Sequence, residues 1–167
     1  MKSFLLAALF LFASPAFAQI LESTEHFRAE DTTVPHPATL PDAALQLLLK
    51  DAAVHHALGK ATHINPKWLL VSQLHLSEST EEDYIAIGRG PLGVANAASF
   101  WIFHQHGKTF DLILDISTHD LILRTTTTRG LRDLEGVNIA ANTVTITDYA
   151  FDGTRYQPHH PKTEKIK

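Results

Sequence analysis

The sequence contains no cysteine. Disulfides are excluded, and with them the small stapled modules that many secreted chains rely on. A lipid anchor on a lipobox cysteine is excluded as well. Basic charge is in short supply: 14 Lys and Arg stand against 18 Asp and Glu, with no basic stripe. That argues against a nucleic-acid partner. One apolar run, residues 4–12, is too short to span a bilayer, and no later run approaches that length. No transmembrane segment is therefore expected once a signal is removed. Recognisable catalytic motifs are missing too. Gly88, Gly90 and Gly93 lack the lysine–hydroxyl ending of a phosphate loop, and there is no Gly-x-Ser-x-Gly elbow.

What is present begins with export signals. Lys2 supplies a positive start, residues 4–12 an apolar stretch, and Ala16-Phe17-Ala18 a small-x-small cleavage site. Residues 1–18 therefore read as a signal peptide, and the localisation as periplasmic or secreted. Loss of Lys2 takes the formal charge from -4 to -5, and protonating all 11 histidines would carry it to +6. The sign of the charge thus follows pH, which bears on solubility rather than mechanism.

Residues 19–38 are polar, carry Pro35 and Pro37, and show no periodicity, so they read as a flexible leader, with an extra strand through Phe27 as the alternative. Residues 40–58 read as one helix: Thr39 as cap, Pro41 and Asp42 in the first turn, apolar residues at helical spacing, and Gly59 as the stop. His55 and His56 suit its negative end. Strand patterns follow at 68–76 and 84–88, separated by an acidic turn at 77–83. Residues 99–114 form the most strongly patterned stretch, read as a hairpin turning at His106-Gly107. That register sets Phe103 against Phe110, Trp101 against Leu112 and Ser99 against Leu114, and gathers Trp101, Phe103, Phe110, Leu112 and Leu114 on one apolar face. Its second strand runs to Ile116, residues 117–120 turn the chain, and further strands are expected at 121–128, 131–139 and 143–151. Asp152-Gly153 closes a last hairpin with Tyr149 opposite Tyr156, and residues 158–167 form a flexible tail. The expected fold is α+β: an N-terminal helix packed on an antiparallel meander of about six to eight short strands, within a single domain at 39–157.

The order of these signals resembles that of a group of secreted bacterial proteins of uncharacterised role. The resemblance is carried by Leu40-Pro-Asp-Ala-Ala-Leu, by Phe100-Trp-Ile-Phe, by Gly130-Leu-Arg-Asp-Leu and by Tyr149-Ala-Phe-Asp-Gly-Thr-Arg-Tyr, and it spans most of residues 40–156. In that group the first hairpin often looks like the Asp-rich calcium turn of FG-GAP and related repeats. The matching positions here are His75, Ser77, Ser79 and Asp83, with Thr80 in place of the glycine, so Asp83 alone keeps the pattern. Calcium asks for six to eight oxygens with carboxylates prominent.

Candidate chemistry is sparse. His104 and His106, two apart on a strand, share a face, and His119 would complete a three-nitrogen zinc site if its turn lay at the same end of the sheet. Surface histidines at a hairpin tip are the ordinary explanation of them. Ser99, His104 and Asp111 do not converge as a triad, because Ser99 and His104 face opposite ways. Asp133, Glu135 and Asp148 offer carboxylates for hydrolysis but read as loop and edge charges. Arg129, Arg132 and Asp133 read as a turn and its ion pairs. Tyr84, Tyr149 and Tyr156 could form a ligand or partner surface. No catalytic residue and no cofactor is expected, with calcium or zinc as the metals to consider. The function expected is that of an exported, non-enzymatic binding or interaction module, for example a periplasmic inhibitor, acting on an envelope protein or small ligand. The alternatives are metal binding through the histidines or a degenerate calcium turn, and a hydrolase with unrecognised carboxylates.

Overall fold

The computed structural model describes residues 24–79, 81–94 and 96–166. The expected signal peptide at 1–18, the first residues of the expected leader, Thr80, Ala95 and the last residue of the expected tail lie outside these.

Ten strands form two antiparallel sheets, and two short helices lie against one of them. Sheet 1 runs in the order β1 (Glu25–Arg28), β7 (Asp120–Thr128), β8 (Leu131–Ala140), β9 (Thr143–Phe151), β10 (Tyr156–Lys165). Sheet 2 contains β2 (Leu69–Leu74), β3 (Asp83–Gly88) and β5 (Ala97–His106), with β6 (Thr109–Thr118) on the far side of β5. A two-residue β4 (Gly93–Val94) also pairs with β5, beyond the end of β3. The expected six to eight strands in one meander thus become ten in two layers. The expected helix becomes two, α1 (Asp42–Leu48) and α2 (Ala52–Leu58).

The break between the helices has a local cause. Asp51 turns its carboxylate onto the amides of Ala53 and Val54 and caps a new helix instead of continuing the old one. At the other end the expectation for Gly59 holds: it takes φ +63° and returns its amide to the His55 carbonyl. Thr39 is not the cap of the first helix. Pro41 occupies that position, with no side-chain bond.

Two apolar clusters hold the layers. Phe27, Leu121, Leu123, Leu134 and Tyr156 from sheet 1 meet Ile85, Ile87, Phe100, Ile102 and Leu114 from sheet 2. Ala44, Leu48 and Val54 of the helices cover Val71, Tyr84, Ala86, Trp101 and Phe103 on the other face of sheet 2. Trp101 and Phe103 are sealed, at 1% and 0% exposure.

The central hairpin forms, but its register is corrected. Its turn is Gly107 and Lys108, one residue later than expected, with His106 opposite Thr109. Gly107 has φ +59°, which suits a tight hairpin turn. An irregularity between Ile102 and Phe103 then shifts the pairing, so that Trp101 faces Asp115 and Ser99 faces Ser117. Leu112 packs toward the helices, whereas Ile113 and Leu114 are both in the core between the sheets. This is the extra residue of a β-bulge re-aiming its neighbours. The turn expected at 117–120 is absent: only His119 separates β6 from β7, and the chain passes directly from one sheet into the other.

The leader and the tail, both read as flexible, each contribute a strand, and that of the leader is the alternative strand through Phe27. Phe27 of β1 is fully buried, and Arg132 ties β1 down. Its fully buried guanidinium donates to Glu25 Oε1 at 2.8 Å and to the carbonyls of Arg124 and Leu123. Further along the leader, Ala38 and His36 bond the edge of β2 through Val71 and Gln73. In the tail, β10 pairs with β9 as far as Lys165, with a register shift between His159 and Lys162. Tyr156 faces Phe151 rather than Tyr149, because the closing turn spans Asp152–Arg155, held by Asp152 on the amides of Thr154 and Arg155.

Candidate metal centre

One end of the space between the sheets is polar. Asp83 opens β3 on the face that carries Ile85 and Ile87, and His104 lies near the end of β5 on the face that carries Phe100 and Ile102. Alternation along both strands therefore points these two side chains into the interlayer seam. His104 Nδ1 lies 2.6 Å from Asp83 Oδ1, and Asp83 Oδ2 accepts the Leu76 amide at 3.1 Å. Both residues are buried, at 6% and 1% exposure. The bond to Asp83 raises the His104 pKa above the usual imidazole value, against the opposing effect of burial.

His106, the last residue of β5, follows on the same side and turns outward. The two imidazole rings meet edge-on with centroids 4.5 Å apart. Glu81, from the loop before β3, completes the group. One ligand atom each of Glu81, His104 and His106 lie within 4.8 Å of one another, the one such trio among the described residues. The loop and the hairpin are already tied together. Gly107 donates its amide to Glu81 Oε1 at 3.3 Å, the Glu82 amide donates to Gln105 Oε1 at 2.8 Å, and Gln105 Nε2 returns to the Gly107 carbonyl. His106 Nε2 lies 3.3 Å from Asp111 Oδ2.

Each histidine thus has one nitrogen held by a carboxylate and one left over. Since Asp83 takes Nδ1 of His104, its Nε2 is the nitrogen available to an ion. A carboxylate on the far nitrogen is the usual support for a metal-bound imidazole, fixing tautomer and ring orientation. Two imidazoles and a carboxylate suit a borderline ion such as zinc. They do not suit calcium, and Asp83, the one carboxylate matching the calcium turn, has both oxygens engaged inside the protein.

The other sequence candidates disperse. His119 follows the far end of β6, about 30 Å from His106 by strand rise, and its Nδ1 accepts the Ile139 amide. It takes no part in the site. The three tyrosines form no common surface: Tyr84 and Tyr156 are buried, and Tyr156 donates to the Arg132 carbonyl at 2.6 Å. Burial, reinforced by the charges of Asp83 and Asp133, pushes the Tyr156 phenol far up. Glu135 and Asp148 are cross-strand partners on sheet 1, but Glu135 is ion-paired with Arg124. Asp133 and Asp148 line a separate open cleft of about 470 Å³ that Arg124 and Thr126 also border. Ser99 pairs with Ser117 at the opposite end of the hairpin from His104 and Asp111. No helix among the described residues is long and apolar enough to cross a membrane.

Sequence reasoning weighed Glu81 and Asp83 only for a calcium turn and did not place Glu81 beside His104 and His106, or Asp83 on the His104 ring. The available signal was an acidic loop entering a strand that must pair with the His-x-His strand. Using it required knowing that β3, not only β6, lies beside β5.

No family model matches this chain, and no curated protein or solved structure matches it either.

Proposed function

We propose that this chain is a divalent-metal-binding protein that holds an ion of the zinc class between Glu81, His104 and His106. The observation that carries this reading is the triangle of ligand atoms within 4.8 Å, with Asp83 set on the inner nitrogen of His104. Desolvating Asp83 and His104 together would be unfavourable for a stability role alone, since a buried ion pair offers little net stabilisation over apolar packing. Supporting a metal ligand gives that buried pair a use. The reading keeps the chain among non-enzymatic binding proteins, and residues 1–18 support its export to an envelope or extracellular setting.

The test is calorimetry and metal analysis on protein purified without a histidine tag. One zinc per chain is expected, with calcium giving no heat. His104→Ala and His106→Ala should each abolish tight binding. Asp83→Asn should weaken it by about 10–100-fold, the usual cost of losing such a support. At a free zinc concentration about 100 times Kd, the folded state should gain about 2.7 kcal/mol, seen as a higher Tm. Absence of bound zinc together with an unmoved Tm would overturn the proposal.

A further inference from the structure

A second feature, independent of the metal centre, lies on the opposite face of sheet 2. Ser99 and Ser117 stand side by side as cross-strand partners, and Trp101 follows two residues along on the same face. They floor a cavity of about 390 Å³, walled by Ala53, His56 and Ala57 of α2 and by the Gly90–Leu92 turn running into β4. That size falls in the range of small-molecule sites. Trp101 is 1% exposed, yet its Nε1 has no acceptor among the described residues. An indole N–H can only donate, and leaving it unpaired in the interior is costly. It is the one unpartnered donor among the buried side-chain atoms of the described residues; the other two, on Glu25 and Asp133, are acceptors.

We infer that this cavity is a binding site for a small uncharged molecule carrying a carbonyl oxygen on an apolar body. The oxygen would accept from Trp101 Nε1 and from the Ser99 and Ser117 hydroxyls. The apolar body would lie against Leu92, Ala53 and Ala57. Charge selects the neutral class. The cavity lining holds no Lys or Arg to offset an anion. Asp115, paired with Trp101, and Asp51 place carboxyls nearby that would repel one. The small side chains of Ser99, Ser117, Ala53 and Ala57 are what leave the space open.

The experiment follows the indole N–H resonances of the ¹⁵N-labelled protein, with that of Trp101 assigned by its loss in Trp101→Phe. Benzamide, benzoate and toluene are titrated in turn. Benzamide should move the Trp101 resonance downfield, saturably, and at least tenfold more tightly than benzoate or toluene. Trp101→Phe, which keeps an aromatic ring but loses the donor, should weaken benzamide binding at least tenfold, read from the backbone amide resonance of Ser117 on the cavity floor because the variant has no Trp101 indole. Ala53→Leu, an exposed helical position on the cavity wall, should abolish binding while leaving the Trp101 environment otherwise intact. Equal binding of toluene would overturn the role of the donor, and tighter benzoate would overturn the neutral class. A Trp101 resonance unmoved by all three probes would overturn the site. Zinc binding by the same samples is unaffected in every case, so failure here is separable from failure of the metal reading.

Discussion

Asp115 stands opposite Trp101 on β6, with its carboxyl against that of Asp51. Partial desolvation first, and the neighbouring Asp51 charge second, raise its pKa from the ordinary 3.8 to about 6. The folded protein therefore holds this proton more tightly than the unfolded chain does. Stability falls as pH rises from about 4 through 6, and the loss is complete above that window. Asp115→Asn removes the ionisation. Thermal melts should show little change at pH 4 and a higher Tm than wild type at pH 8, with the gain appearing between those limits. A gain of the same size at both pH values would instead mean that packing, not charge, was altered. Single residues also decide the metal centre. The His104–Asp83 contact at 2.6 Å depends on two side chains 21 positions apart, each unremarkable where it stands.

At the scale of elements, local patterns were read well and their junctions less so. Alternation was plain in β9 and late in β2, whereas β3 and β5 are packed on both faces and were legible only from their apolar composition and flanking turns. The helical spacing at 40–58 was also plain, but Asp51 interrupts it by capping. A capping side chain in mid-run looks from sequence like any solvent-facing acid. The bulge in the central hairpin was invisible for a similar reason. Ile113 and Leu114 are both apolar, so nothing in the pattern marks which of them is extra. Close approach of two elements is equally hidden. Gly88 ends β3 where the next turn folds back on it, and a Cβ there would lie 2.2 Å from the Leu92 carbonyl oxygen. Backbone rather than a flexible side chain blocks the space, so one of the two segments would have to move. Gly88→Ala is expected to destabilise the fold by about 1–3 kcal/mol in urea titrations, with m unchanged. Because Leu92 borders the cavity above Trp101, the same substitution should weaken benzamide binding.

At the scale of the whole molecule, the layers could not be read from the chain alone. The sequence order suggests a single meander, yet the step through His119 carries the ribbon from sheet 2 into sheet 1, and β1 from the leader joins that second sheet. In that polar, aperiodic stretch a strand through Phe27 was only the alternative reading, since four residues with one buried Phe27 are too few to show a period. The anchor is equally remote: Glu25 meets Arg132 across 107 positions. Arg132→Ala would leave the Glu25 carboxylate in a largely closed site and free two backbone carbonyls. It is expected to cost about 3–5 kcal/mol, as removing one partner of a buried ion pair does. Denaturant unfolding measures that loss, and limited proteolysis should show earlier cleavage within residues 24–31. An effect under about 1 kcal/mol would mean that β1 docks through Phe27 alone.

The outermost strand, β10, carries Pro158 and Pro161, the register break between His159 and Lys162, and lysines at 162 and 165. Proline offers no amide hydrogen, and clustered ammonium groups repel a like neighbour. At the opposite margin of that sheet, β1 is only four residues long. A second molecule seeking to extend the sheet finds too few matching amides on one side and too short a template on the other. In a chain without covalent cross-links, that leaves the two margins of this sheet poor templates for edge-to-edge growth.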